Sequence, residues 1–235
     1  MLTELDAVLS PLCDAYEIIA IDDQSDDETW TEIKATAATN PRIVPILNPA
    51  NLGVGGSFQH AVKESRYDWV GYTDGDDQYE LNDLAEFVPH LGTHQVVSGH
   101  RVNRADGWKR NLISSHFNGI MNAVFGIPLH DINSALKIYR GSLLRDLPPW
   151  NPQAFYDAEI LIRLHVEQQI KIKEIPIRHR SRSHGVAAGV SKRNIVSILE
   201  GATTPELAHC WAQGWRSSAA RLYSRFLLQV TRILL

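Results

Sequence analysis

The sequence predicts a doubly wound, mostly parallel α/β sheet flanked by helices, and two observations carry that expectation. Short apolar runs alternate with helical stretches through the first hundred residues, which is the pattern of β–α–β units. Most of those runs end in polar or charged residues, and such sheets bind ligands beyond the C-terminal ends of their strands. A chain of 235 residues is long enough for one domain of this kind with a sizeable core.

The elements follow in order. In "TELDAVLSPLCDAY", Leu5, Val8, Leu9 and Leu12 recur at helical spacing, with Pro11 weakening the helix. "EIIAIDD" is a short apolar run closed by acids, the form of a buried parallel strand. "SDDETWTEIKATAAT" reads as a helix whose start fits a capping box, with Ser25 as cap and Glu28 three residues on. "RIVPILN" is a second strand, "SFQHAVKES" a helix, "DWVGYTD" a third strand, "LNDLAEFVPHL" a helix and "HQVVSGHR" a fourth strand. Their ends deliver Asp22, Asp23, Asn48, Asn51, Asp74, Asp76 and Arg101 to one edge. Residues 107–126 read as a helix. "FYDAEILIRLHVEQQ" reads as another, from Ile160, Leu161, Leu164 and Val166. "IKIKEIPIRHR" alternates with period two and reads as a strand, and "SHGVAAGVS" as a glycine-rich loop.

Composition narrows the function classes. The net charge of −4 argues against general nucleic-acid affinity. Acid is dense between Asp22 and Glu86, and base between Arg101 and Arg110 and between Arg178 and Arg193. That asymmetry suggests a site where a metal and an anion meet. The two cysteines, Cys13 and Cys210, stand far apart, so a reduced cytosolic setting is expected. No apolar stretch reaches the roughly 18–20 residues of a membrane span, and the start does not read as a signal peptide. The C-terminal "LYSRFLLQVTRILL" carries Arg225 and Arg232 on an otherwise apolar helix. It would either dock on the domain or lie on a membrane surface.

Several groups could carry chemistry. "TDGDDQ" places Asp74 and Asp76 on either side of Gly75, so two carboxylates leaving a strand can bend around one centre. Such hard oxygen donors, with Gln78 nearby, suit Mg2+ or Mn2+; the bland alternative is a solvated acidic turn. Of Asp22 and Asp23, one would contact a base or ribose and the other shape the loop, or both would serve as helix caps. "NLGVGG", with Gly55, reads either as a tight turn lining a nucleotide pocket or as turn chemistry alone. Arg110 and Ser114 share a helix face at i, i+4. With Arg101 they could grip a phosphate monoester, though ordinary surface basicity gives the same pattern. Arg178, Arg180 and Arg182 share a face of an extended segment, where Arg182 could close over a pyrophosphate or simply be solvated. Asp157 starts a helix, where the dipole favours it, and could act as general base for a hydroxyl acceptor. None of the ten histidines has the HExxH spacing of a zinc site.

Taken in order, "IIAIDDQSDDET", "NLGVGG", "TDGDDQ", "SGHR", "DINSALKIYR" and "KEIPIRHRSRSHG" resemble family 2 glycosyltransferases of the GT-A fold, in particular the polyprenyl-phosphate sugar transferases. The resemblance spans about residues 16–191. It implies an inverting, metal-dependent transfer of a sugar from a nucleotide-sugar donor to a polyprenyl phosphate, peripheral to the cytoplasmic face of a membrane. It implies donor contacts from Asp22, Asp23, Gly55, Asp74 and Arg182, and metal ligands Asp74, Asp76 and Gln78. Arg101, Arg110 and Ser114 would hold the acceptor phosphate, Asp131 falls on a D-x-x-S element, and Asp157 would be the base if the acceptor were a glycan hydroxyl. A truncated, inactive nucleotide-binding domain is the non-enzyme alternative. The family opens with a strand that this chain would lack, giving an N-terminally truncated domain over 1–194 and a helical segment over 195–235 that could associate with a membrane.

Overall fold

The structure, a computed structural model, describes residues 1–102, 108–153 and 155–180. In chain order its elements are α1 (Leu2–Leu9), β1 (Ile18–Asp22), α2 (Thr29–Thr39), β2 (Ile43–Leu47), α3 (Gly53–Glu64) and β3 (Trp69–Tyr72). Two short 3-10 turns follow, Leu81–Glu86 and Val88–His90, then β4 (Val96–Val102) and α4 (Trp108–Phe125). The remainder is β5 (Lys137–Arg140), α5 (Gly141–Arg145), α6 (Tyr156–Ile162) and β6 (Ile172–Arg178).

Strands form where the apolar runs predict them. β1 and β2 pair in parallel, with Ile18 opposite Ile43. A second sheet has the order β3-β5-β4-β6. There β4 and β6 are parallel, while β5 runs antiparallel to both β3 and β4. The architecture is thus mixed α/β with parallel pairs and flanking helices, and β5 is its antiparallel member. β1 and β3 belong to different sheets, and both line a cleft of about 1250 Å³ shared with α1, α2 and α3.

Three local expectations are corrected. The capping box at Ser25 does not form: α2 starts at Thr29, whose N–H donates to Asp27 Oδ1 at 2.9 Å, while the Ser25 N–H donates to Asp22 Oδ1 at 2.8 Å. "LNDLAEFVPHL" makes 3-10 turns rather than one α-helix, consistent with Pro89 removing a backbone donor. The helix predicted from "SFQHAVKES" starts earlier, at Gly53, whose φ of 74° is open to glycine at no steric cost.

The main core joins Phe58 and Val62 of α3, Val70 of β3, Val96 of β4 and Tyr139 of β5 to Ile160, Leu161 and Ile162 of α6. Every residue of α6 is buried, and the helix continues into a π turn over Arg163–Glu167. Its buried Glu159 is matched by Arg163 at 2.5 Å. No helix among the described residues is long and apolar enough to cross a membrane. The segment 195–235 lies outside the described residues.

Candidate active site

The carboxyl ends of β1 and β3 open on the same cleft, which Asp23, Asp74 and Asp77 line. The two acids ending β1 divide their labour. Asp23 Oδ1 accepts hydrogen bonds from Asn48 Nδ2 (2.6 Å) and the Leu52 N–H (2.8 Å), and Oδ2 accepts from the Gly53 N–H (2.8 Å). It therefore caps α3 and ties it to the end of β2. The fully buried Asn48 extends that tie to Ser57 and His60. Asp22 is buried too, but its Oδ2 has no hydrogen-bond partner among the described residues. An orphaned buried acceptor of this kind calls for a ligand donor.

Asp74 and Asp76 follow β3. The Tyr72 hydroxyl donates to Asp74 Oδ1 at 2.8 Å, and the Gln78 N–H to Asp76 Oδ1 at 3.2 Å. The left-handed residue of this turn is Asp77, with φ 56°, rather than Gly75; aspartate tolerates that region better than most residues. Asp77 is exposed and lies 3.7 Å from the chain's amino terminus. Burial pushes the Asp74 carboxyl above the usual carboxylate range, the Tyr72 hydrogen bond pulls it down, and the Asp76 charge pushes it up again. Two crowded carboxylates with a buried glutamine amide form an oxygen donor set that fits a hard divalent cation.

Behind Asp74 lies a polar network that sequence reading missed. Lys137 on β5 is completely buried, and its Nζ lies 2.7 Å from Asp157 Oδ2 while also donating to the Ser134 carbonyl. The Tyr139 hydroxyl donates to Asp157 Oδ1 at 3.4 Å. Burial pushes Asp157 upward and Lys137 pulls it down, with the Asp74 charge raising it further. Asp157 is thus committed to an internal ion pair, which corrects its reading as an accessible general base. The available signal was a lysine one residue after the buried Leu136, entering a strand.

The basic residues separate. Arg101 is buried and bidentate on Asp131: Nε lies 2.7 Å from Oδ2 and Nη2 2.8 Å from Oδ1, and Nη2 also reaches the Asn133 carbonyl. These contacts hold the 131–133 loop. Arg101, Asp131 and Ser114 nevertheless line one pocket of about 530 Å³ beside α4. Arg110 lies on α4 one turn before Ser114. Arg178 pairs with Asp83 and Arg180 with Glu80 and Glu4, so both anchor β6 and the segment after it. Arg182 lies outside the described residues.

Gly55 packs closely against the 151–156 segment. A Cβ there would meet the Asn151 carbonyl at 2.3 Å and Tyr156 Cβ at 2.7 Å. Its own carbonyl accepts from Trp150 Nε1 at 2.9 Å.

An α/β fold with acids at two strand ends around one cleft is that of a GT-A transferase. Glucosyl-3-phosphoglycerate synthase from Mycobacterium tuberculosis, in complex with phosphoglyceric acid, matches at a TM-score of 0.65 and 21% identity, over 86% of this chain and 75% of that one. The same enzyme with Mn2+, uridine-diphosphate-glucose and phosphoglyceric acid matches at 0.63 and 21%, over 86% and 74%. Residues 4–148 match the model of glycosyl transferase family 2, and the chain belongs to that family. Dodecaprenyl-phosphate galacturonate synthase of Rhizobium johnstonii is 28% identical over 192 residues, covering 78% of this chain and 56% of that protein. Undecaprenyl-phosphate 4-deoxy-4-formamido-L-arabinose transferase of Edwardsiella ictaluri is 28% identical over 173 residues, covering 72% and 52%. The chain thus spans about half the length of these relatives.

Proposed function

We propose that this protein transfers a sugar from a nucleotide-sugar donor to a polyprenyl phosphate, inverting the anomeric centre, at the cytoplasmic face of a membrane. The observation that carries the reading is one cleft lined by Asp23, which follows β1, and by Asp74, which follows β3, with Asp22 and Asp76 beside them in the chain. The acceptor class comes from the names of the relatives in Rhizobium johnstonii and Edwardsiella ictaluri.

Asp22 Oδ2 accepts a hydrogen bond from the base or ribose, while Asp23 fixes the start of α3 that frames the pocket. Asp74 and Asp76, with Gln78 assisting, would hold Mg2+ or Mn2+, which would supply charge neutralisation for a nucleoside-diphosphate leaving group. The acceptor phosphate lies against α4, where Ser114 lines the pocket and Arg110 shares its helix face. A phosphate oxygen is already ionised at neutral pH, so positioning is the main service required. That fits Asp157 being tied to Lys137, and it disfavours a glycan hydroxyl acceptor that would need Asp157 as base.

The test is mass-spectrometric detection of product from nucleotide sugars with a polyprenyl phosphate or a soluble glycan as acceptor. Asp76→Asn is expected to abolish transfer and metal-dependent nucleotide binding with the melting temperature kept. Full activity in that variant overturns the metal role, and product on the glycan alone overturns the lipid acceptor.

A further inference from the structure

We infer a second metal site, built from His100, His130 and Glu174, that takes a zinc-type divalent ion. His100 is on β4, Glu174 on the adjacent parallel strand β6, and His130 in the loop between α4 and β5. The strand register sets Ser98 opposite Glu174, so His100 stands two residues further along its strand on the same face. One ligand atom from each of the three residues lies within 4.8 Å of the others. The two imidazoles are stacked with centroids 5.1 Å apart and planes at 21°.

The site is prepared by its own hydrogen bonds. Glu174 Oε1 accepts from the backbone N–H groups of His130 (2.8 Å) and Asp131 (3.1 Å), which pins the loop to the strand. Glu174 Oε2 lies 2.6 Å from His130 Nδ1. With an ionised carboxylate that contact needs a proton on the ring nitrogen, and a metal ion would take the proton's place. Zinc-type ions favour two imidazoles plus one carboxylate, with bonds of about 2.0–2.2 Å and donors therefore about 3.4 Å apart. Reaching that spacing from separations of up to 4.8 Å needs a shift of at most about 1.4 Å. His130 can supply the shift because its side chain is 77% exposed.

Chemistry separates this site from the carboxylates after β3. Imidazole suits zinc-type ions, whereas Asp74 and Asp76 offer the hard oxygens that Mg2+ and Mn2+ prefer. Both imidazoles line the pocket that holds Ser114 and the Arg101–Asp131 pair. An ion there would fix the pocket rim, and its fourth position would take water or an anion from the pocket.

The test is a titration of the whole protein with Co2+, read by visible absorption and followed by displacement with Zn2+. Intense four- or five-coordinate bands are expected, displaced by Zn2+, retained in Asp76→Asn and lost in His130→Ala and His100→Ala. His130 is exposed, so its variant is expected to melt with the wild type. Absence of the bands in the wild type, their persistence in His130→Ala or their loss in Asp76→Asn overturns the inference.

Discussion

Replacing Lys137 with methionine tests the buried network behind Asp74. The substitution keeps most of the volume and removes the charge. Lys137 is wholly buried and Asp157 nearly so, and they lie 2.7 Å apart. Removing one partner of such a pair leaves an uncompensated buried charge, at a cost of about 3–5 kcal/mol. In a domain of this size each kcal/mol moves the melting temperature by about 2–4 °C. Lys137→Met should therefore melt about 6–20 °C lower at neutral pH, read by circular dichroism. Adding Asp157→Asn should recover much of the loss, because the stranded charge goes with it. The pH dependence has a definite sign. Burial already raises Asp157, and the variant loses the Lys137 charge that pulls it down. A carboxyl with a raised folded-state pKa contributes stability that is complete below its unfolded value, about 3.9, and lost as pH rises through the folded value. The gap to wild type should thus be narrow near pH 4 and wide at pH 7. A variant within about 1 kcal/mol of wild type at pH 7, or a gap that widens on acidification, refutes the reasoning.

Gly55→Ala should cost about 1–3 kcal/mol, since its Cβ would lie 2.3 Å from the Asn151 carbonyl. Gly119→Ala is the control: nothing lies within 4 Å of its Cβ, so thermal melts should show no loss. Arg101→Met should cost about 3–5 kcal/mol by stranding the buried Asp131, and Asp131→Asn in the same chain should restore part of it in a denaturant titration. Asp22→Asn should weaken nucleoside-diphosphate binding by about tenfold in calorimetry, with little change in melting, if the orphaned Oδ2 accepts from the donor.

What could be read from the sequence was local. β1 to β4 appear where the apolar runs lie, because a short apolar run is enough to place a strand, although its pairing direction, antiparallel for β3, is not readable from it. The acids at the ends of β1 and β3 were legible for the same reason, since strand ends follow from strands. The destination of Arg101 was not, because Asp131 stands 30 residues away and only tertiary packing brings them together. Lys137 was hidden likewise: its strand is four residues long and its partner comes from α6. The first turn of α3 was missed because the glycines of "NLGVGG" serve close packing inside a helix, where propensity alone argues against one.

That glycine-rich start of α3 has a consequence for the site as a whole. β1 and β3 lie in different sheets, so no backbone ladder fixes Asp22 relative to Asp74. α3 supplies the connection. Its N-terminus is held by Asp23 on the β1 side. Five residues on from Gly53, Phe58 packs against Tyr72 with ring centroids 4.7 Å apart. Tyr72 in turn donates to Asp74. Gly55 lets the helix approach 151–156, which seats Phe58 against Trp150 and Tyr156. The two acid sets are thereby coupled through one helix: a change that lifts α3 moves Asp22 and Asp23 relative to Asp74 and Asp76. A side chain at Gly55 should for that reason impair metal-dependent nucleotide binding more than an equally destabilising change on α4, although Gly55 touches neither ligand set.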